Sequence, residues 1–310
     1  MIIVTGSIAY DYIMTFPGNF GDHILPDQIR NVNLSFIVSN FARHRGGTAG
    51  NVSYAMSLLH TSHLLYSFAG KDFDGYRKEL KKLGIVQKGV KIDKTRHTAT
   101  GFAMTDKSNN QIWGFYYGAS LKNSELVLDK IAKENDLVLV GPQGAKASIS
   151  LIKQSVKLNV PYMFDPGFIL TEVSNADLEL GVRKAKFIVG NDYEIHVMKD
   201  RIKKWDEIVK DKVIITTLGA KGVLIKSKGQ IHKVRAAKVK TVFSTAGAGD
   251  AWRGGFLAGL SRGYDLEMCA KMGCIASAYV VEHFGTQEYY YTKKQFQSRY
   301  RQNYGSLVEL

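Results

Sequence analysis

Short, wholly apolar runs alternate along this chain with longer stretches in which apolar residues return every third or fourth position. Ile2–Val4, closed by Gly6, predicts a buried opening strand. Small and apolar residues from Gly50 to Leu59 predict a tightly packed helix. Leu64–Ala69 reads as a strand, and Tyr76–Leu83 as a helix stopped by Gly84. From Tyr12 to Arg45 helical periods are scarce and β-type stretches such as Leu34–Val38 take their place. Thr98–Met104 and Gln111–Tyr117 predict a hairpin around the polar turn Asp106-Lys107-Ser108-Asn109-Asn110. The rhythm then becomes strand and helix in turn. Strands are expected at Leu137–Val140, Tyr162–Phe164, Phe187–Val189 and Val213–Thr217, and a hairpin at Val223–Lys226 with Ile231–Lys233. Helices are expected at Ala147–Leu158, Leu178–Lys184, Ile202–Val209, Gly247–Gly263 and Leu266–Glu282. Short apolar strands separated by helices imply an α/β fold with a mainly parallel sheet covered on both faces. The two early β-rich stretches are apart in sequence, but they can pair as a small sheet beside it.

Composition narrows the class. The chain has 310 residues, 45% of them hydrophobic, enough for one large core with a smaller appendage. The formal net charge is +14, but the lysines are spread along the chain in small groups such as Lys81-Lys82, Lys203-Lys204 and Lys293-Lys294. With no dense basic tract, zinc-finger or RNP pattern, nucleic acid is not an expected partner. A mildly positive field suits an anionic nucleotide. No apolar run reaches the length of about 18 residues that a membrane span needs. The start, Met1-Ile2-Ile3-Val4-Thr5-Gly6, lacks the basic segment of a signal peptide. Cys269 and Cys274, five apart on an expected helix, are poorly placed for a bridge. These features point to the cytoplasm, where the sequons at Asn33 and Asn51 stay unglycosylated.

The densest chemical signal is Ser244-Thr245-Ala246-Gly247-Ala248-Gly249-Asp250-Ala251-Trp252-Arg253-Gly254-Gly255-Phe256. Small residues lead into a helix whose first turn carries an aspartate. Glycines let backbone N–H groups point inward at the helix start, and with the helix dipole they make an anion site. That suits the charge on a moving phosphoryl group, and Asp250 is placed to take a proton from an attacking hydroxyl. An N-cap aspartate after a flexible turn would look the same in isolation. Other nucleotide motifs are excluded: there is no Walker A sequence, and Gly247-Ala248-Gly249 lacks the third glycine of a dinucleotide fingerprint. Gly259-Leu260-Ser261-Arg262-Gly263 has the spacing of a hydrolase elbow but trails a helix instead of opening one.

This run resembles the C-terminal signature of the ribokinase family, the PfkB carbohydrate kinases, and four further segments fit that family in order. Arg45-Gly46-Gly47-Thr48-Ala49-Gly50-Asn51 resembles its paired-glycine signature, and Asn191-Asp192-Tyr193-Glu194 its Asn-x-x-Glu motif. Thr217-Leu218-Gly219-Ala220-Lys221-Gly222 resembles its phosphate loop, and Gly6-Ser7-Ile8-Ala9-Tyr10-Asp11 its opening strand and aspartate. The resemblance implies a three-layer α/β/α domain of residues 1–11, 46–97 and 121–310, with a β lid of residues 12–45 and 98–120. It implies ATP and Mg²⁺ as cofactors. Asp250 is then the base, with Gly247 at the turn before it and the N–H groups of Ala248, Gly249 and Asp250 as the anion hole. Asp11, Gly46, Gly47 and Asn51 would meet the acceptor. Asn191 and Glu194 would organise magnesium, Glu194 through water, although the pair also reads as a helix cap. Thr217, Gly219 and Gly222 would face ATP. Asp165, in Phe164-Asp165-Pro166-Gly167, would hold a phosphate-side water network or shape a turn. Ser244 stands where many members carry an aspartate that helps bind a monovalent cation, which leaves potassium dependence open.

The lid segments, Phe16-Pro17-Gly18, His23-Ile24-Leu25-Pro26 and Asn110 to Ala119, resemble the bacterial adenosine or nucleoside kinase branch. Aromatic residues there, Phe36, Phe102, Phe115 and Tyr117, are candidates to stack on a purine. The expected reaction is transfer of the γ-phosphate of ATP to the 5′-hydroxyl of adenosine. The alternatives are a sugar kinase acting on ribose or a fructose derivative, and a non-catalytic nucleotide- or sugar-binding regulator. A homodimer through the lid is the expected assembly.

Overall fold

A computed structural model describes residues 1–24, 33–108 and 110–310. Leu25, Pro26 and Asn109, part of the segments quoted above, lie outside the described residues. In chain order the elements begin with β1 (Ile2–Thr5), β2 (Ala9–Thr15), β3 (Asn40–Gly46), α1 (Thr48–Leu58), β4 (His63–Leu65) and β5 (Ser67–Ala69). They continue with α2 (Asp74–Lys82), β6 (Val90–Ile92), β7 (Ala99–Thr105), β8 (Gln111–Tyr116), β9 (Leu137–Val140) and α3 (Ala145–Lys157). Next come β10 (Tyr162–Phe164), α4 (Asn175–Lys184), β11 (Phe187–Asn191), α5 (Asp192–Arg201), α6 (Trp205–Ile208) and β12 (Val213–Thr217). The chain ends with β13 (Val223–Ser227), β14 (Gln230–Val234), α7 (Ala248–Ser261), α8 (Leu266–Val281) and α9 (Lys293–Tyr304).

The main sheet has eight strands in the order β14-β13-β12-β11-β10-β9-β1-β4. Its strands run parallel from β4 to β12, and the β13–β14 hairpin closes one edge antiparallel. Successive side chains of a strand point to opposite faces, so a strand covered on both sides feeds two cores. Ile2, Val4, Leu139, Met163, Val189 and Ile215 enter one core, with α1, α7 and α8. Ile3, Val138, Val140, Phe164, Ile188 and Ile214 enter the other, with α3 and α4. The α/β/α layering follows directly.

A second sheet has the order β3-β2-β7-β8 and joins the two β-rich stretches through the parallel pair β2–β7. The sheet starts at Ala9, so Asp11 belongs to it. No helix among the described residues is long and apolar enough to cross a membrane. Both cysteines are buried free thiols.

Several expectations are corrected. Leu34–Val38 forms no strand; Phe36 instead packs against Phe16, Phe20 and His23. Leu64–Ala69 is broken at Tyr66 into two strands of different sheets. The helix expected at Ile202–Val209 is only the short α6, because Ile202 caps α5, which starts ten residues earlier at Asp192. Helix α9 and strand β6 were not legible in the sequence.

Candidate active site

The strands of a parallel sheet end at one edge, and ligands of such sheets bind in the crevice there. Here the carboxyl ends of β10, β11 and β12 deliver Asp165, Asn191 and Thr217 to a cleft of about 1020 Å³, closed on its other side by the start of α7. Gly219, Gly222 and residues 247–250 line it too.

Gly247 makes the entry to α7. Its φ of +74° is left-handed, and a Cβ there would lie 2.8 Å from the Thr286 side chain, so glycine suits both backbone and space. The N–H of Ala248 turns back to Thr245 O at 3.2 Å. Of the three amides expected to form an anion hole, that leaves Gly249 and Asp250, which have no hydrogen-bond acceptor among the described residues. These two N–H groups and the dipole of a fourteen-residue helix meet the cleft.

Asp250 is partly buried beside them and accepts a hydrogen bond from Asn51 Nδ2 at 2.8 Å. Burial pushes its carboxyl up to about 6, the Asn51 hydrogen bond and the Arg253 guanidinium pull it back, and Glu194 adds to the rise. Asn51 comes from the first turn of α1, and α1 packs directly on α7. That contact is close because Gly254 leaves room: a Cβ there would stand 2.5 Å from the Ala55 methyl.

Arg253, one turn after Asp250, is buried and held by Asp165: Nη2 donates to Oδ1 at 2.6 Å, and Nε lies 2.5 Å from Oδ2. Its Nη1 donates to Gly249 O at 3.0 Å. Asp165 thus does more than shape a turn; it fixes the cation that steadies the first turn of α7. Burial raises its carboxyl and the guanidinium opposes that rise.

Asn191 and Glu194 form a capping box at the start of α5, each side chain accepting from the other's backbone N–H at 2.8 Å. Both also line the cleft, so cap and cleft wall are the same residues. Thr217 ends β12, and Gly219 and Gly222 take positive φ in the turn after it. A Cβ at Gly222 would come within 2.0 Å of Val234 O, which brings the backbone of this turn hard against the end of β14.

On the second sheet, Asp11 lies in one row with His44, Gly101 and Phe115. Gly46 and Gly101 make the space for its carboxylate: a Cβ at Gly46 would be 2.0 Å from Oδ2, and one at Gly101 2.8 Å from Oδ1. Burial pushes Asp11 up to about 7, and Asp250 adds to the rise, so the two carboxyls feel one another. Gly47, with φ +84°, turns the chain from β3 into α1.

Alternation along the strands sorts the aromatic candidates. Phe115 and Trp113 share the face of Asp11, and the Trp113 ring packs over Gly101 at 3.0 Å from the place of a Cβ. Phe102 lies on the opposite face, stacked on Tyr12 at 5.5 Å, so it is withdrawn as a partner for anything held by Asp11. Phe36 is withdrawn as well, being tied up in its own cluster. Tyr117 packs with Phe115 and Phe168, and its hydroxyl donates to Glu172. Ser244 Oγ accepts from Ala246 N at 3.2 Å and shapes the approach to α7.

Sequence reasoning missed Arg253, Trp113, Thr286 and Gln287. Arg253 was visible inside the glycine signature; Thr286 and Gln287 reach the site only through contacts more than 230 residues away in sequence.

A carboxylate at an amide-bearing helix start, set in a cleft at the ends of parallel strands with a second sheet beside it, defines a small-molecule kinase. The chain belongs to the pfkB family of carbohydrate kinases, whose family model matches residues 2–293. It is 30% identical to the nucleoside kinase of Methanothermobacter thermautotrophicus over 92% of this chain and 91% of that one. The nucleoside kinase of Methanocaldococcus jannaschii is 28% identical over 92% of each. Among solved structures, the Burkholderia thailandensis nucleoside kinase in complex with inosine superposes with a TM-score of 0.91 at 30% identity, covering 99% of this chain and 100% of that one.

Proposed function

We propose that this protein transfers the γ-phosphate of ATP to a hydroxyl of a nucleoside, the 5′-hydroxyl of adenosine in particular. The observation that carries the reading is the Asn51–Asp250 pair at the amide-bearing start of α7, facing Asp11 across the site. In this reading residues 12–45 and 98–120 act as a lid over a body formed by residues 1–11, 46–97 and 121–310, with Asp11 at the junction on β2, the strand that runs from the body into the second sheet. The nucleoside relatives from Methanothermobacter and Burkholderia support the acceptor class.

Asp250 accepts the proton of the attacking hydroxyl, and Asn51 keeps its carboxylate aimed. The Gly249 and Asp250 amides stabilise charge on the transferring phosphoryl group. Thr217, Gly219 and Gly222 carry the ATP phosphates, while Asp11, Gly46 and Gly47 form the acceptor side. The donors present suit magnesium held mainly by phosphate and water. No cluster of three or more metal-ligating side chains occurs among the described residues, and Glu194 stands at the cleft with one oxygen committed to its cap. Asn191 and Glu194 would hold the ion's waters, and the bound ion would neutralise phosphate charge.

Trp113 and Phe115 supply the apolar surface that a base needs and a free sugar does not. Trp113→Ala is expected to raise KM for adenosine roughly tenfold, from loss of a stacking surface, with KM for ATP unchanged. Steady-state kinetics with each substrate varied checks it. A panel of adenosine, inosine, guanosine, ribose and fructose scored for ATP consumption tests the function; phosphorylation of ribose with every nucleoside untouched would overturn it.

The opposite face of the second sheet presents Phe41, Phe102, Ile112 and Tyr116, each at least 46% exposed. A second copy covering this face completes the proposal. Sedimentation of the wild type as a dimer and of Phe102→Glu as a monomer is the expected result.

A further inference from the structure

A buried file of hydrogen bonds runs from the Asp250 carboxylate to the backbone where the second sheet joins the body. Asn51 donates from Nδ2 to Asp250. Its Oδ1 accepts from Gln287 Nε2 at 2.9 Å, and the same nitrogen donates to the Tyr76 hydroxyl. Tyr76 in turn donates to Gly46 O at 2.9 Å. Thr286 Oγ1 also stands 2.9 Å from Asn51 Oδ1. Asn51, Tyr76 and Gln287 are all at most 4% exposed, so water does not substitute for a missing partner.

The file has a direction, set by its ends. A carboxylate and a peptide carbonyl only accept. Asp250 therefore requires the NH₂ of Asn51, which leaves Asn51 Oδ1 facing inward as an acceptor. Gly46 O requires the proton of Tyr76, which leaves the Tyr76 oxygen as an acceptor too. Between two acceptors there must be one group that donates both ways, and the Gln287 amide nitrogen, with its two protons, is that group.

We propose that Gln287 is a positioning residue for phosphoryl transfer, its double donation locking the Asn51 amide toward the base and tying that orientation to the Gly46 backbone. The proposal rests on the reading of Asp250 as the base. It assigns Gln287 no contact with substrate. The other charged or titratable groups around Asp250 are Arg253 on its own helix, Glu194 on α5, Asp165 after β10, Asp11 on β2 and Tyr289 beyond α8. A neutral substitution at 287 leaves all of them in place.

The test compares wild type, Gln287→Met, Thr286→Val and Tyr76→Phe by pH profile of kcat/KM and by thermal melting. Gln287→Met removes both donors without adding charge. With Asn51 free to turn, the Asp250 carboxylate loses the bond that holds its proton affinity down. The acid limb is then expected to move up by about one pH unit, with kcat down about tenfold and KM for ATP within about twofold. Thr286→Val, which removes a hydroxyl whose one proton is shared between Asn51 Oδ1 and Arg45 O, is expected to shift the limb in the same direction by less. A folded Gln287→Met enzyme with the wild-type limb and kcat overturns the proposal. Should Gln287→Met fail to fold, an unmoved limb in both Thr286→Val and Tyr76→Phe overturns it instead. An Asp250→Asn control separates the two levels: if that enzyme stays active, the base assignment itself falls.

Discussion

Replacing Asp250 by asparagine is expected to lower kcat by ~10²–10⁴, the usual worth of a general base, with the melting profile retained. Asparagine keeps the size of the side chain and can still pair with Asn51, so the α1–α7 contact has no reason to open. What disappears is the capacity to take a proton. The pH dependence makes the assignment specific. The carboxyl is pushed up to about 6, chiefly by burial, with Asn51 and Arg253 opposing. A base works in its ionised form, so kcat/KM should fall about tenfold per unit below pH 6 and level off above it. In Asp250→Asn that limb should vanish along with most of the rate. An Asp250→Asn enzyme that keeps the wild-type kcat would remove Asp250 from the mechanism.

Asp165→Leu carries the largest expected effect on stability. The variant leaves the Arg253 guanidinium buried without its carboxylate, and breaking one side of a buried pair costs about 3–5 kcal/mol. In a chain of 310 residues that corresponds to a Tm lower by roughly 5–8 °C. The double variant Asp165→Leu/Arg253→Met removes the stranded charge and should recover much of the loss, which calorimetry on the four proteins of the cycle would read. Activity should not recover in step, because Arg253 Nη1 also holds Gly249 O at the start of α7. A single variant melting with the wild type would mean that the pair bears no structural strain.

The main sheet was legible because its strands are covered on both faces, so each had to be a short unbroken apolar run such as Leu137–Val140 or Phe187–Val189. Helices α5 and α9 were not, since they bury little. Met198 is the sole buried residue of α5, and Phe296, Tyr300 and Asn303 are those of α9, too few for a visible period. Leu34–Val38 misled for the converse reason: Phe36 is spent on an aromatic cluster while Leu34 and Ile37 stay exposed, so no ladder buries the run. At the site, the glycine segments announced themselves because close backbone approach restricts residue choice. Sorting Phe102 from Phe115 needed the register of β7 against β8. Gln287 needed the fold itself, since it meets Asn51 from 236 positions away.

The placing of Asp11 on one sheet and Asp250 on the neighbouring helix layer bears on what the enzyme refuses. On the proposed roles, a molecule satisfies both carboxylates only if it offers two hydroxyls on a rigid frame. A solitary water can bond to a carboxylate but brings no frame to hold its oxygen in line, so it is a poorly placed nucleophile toward ATP. Protection against idle hydrolysis would then come from the need for two anchors, without any group devoted to keeping solvent out.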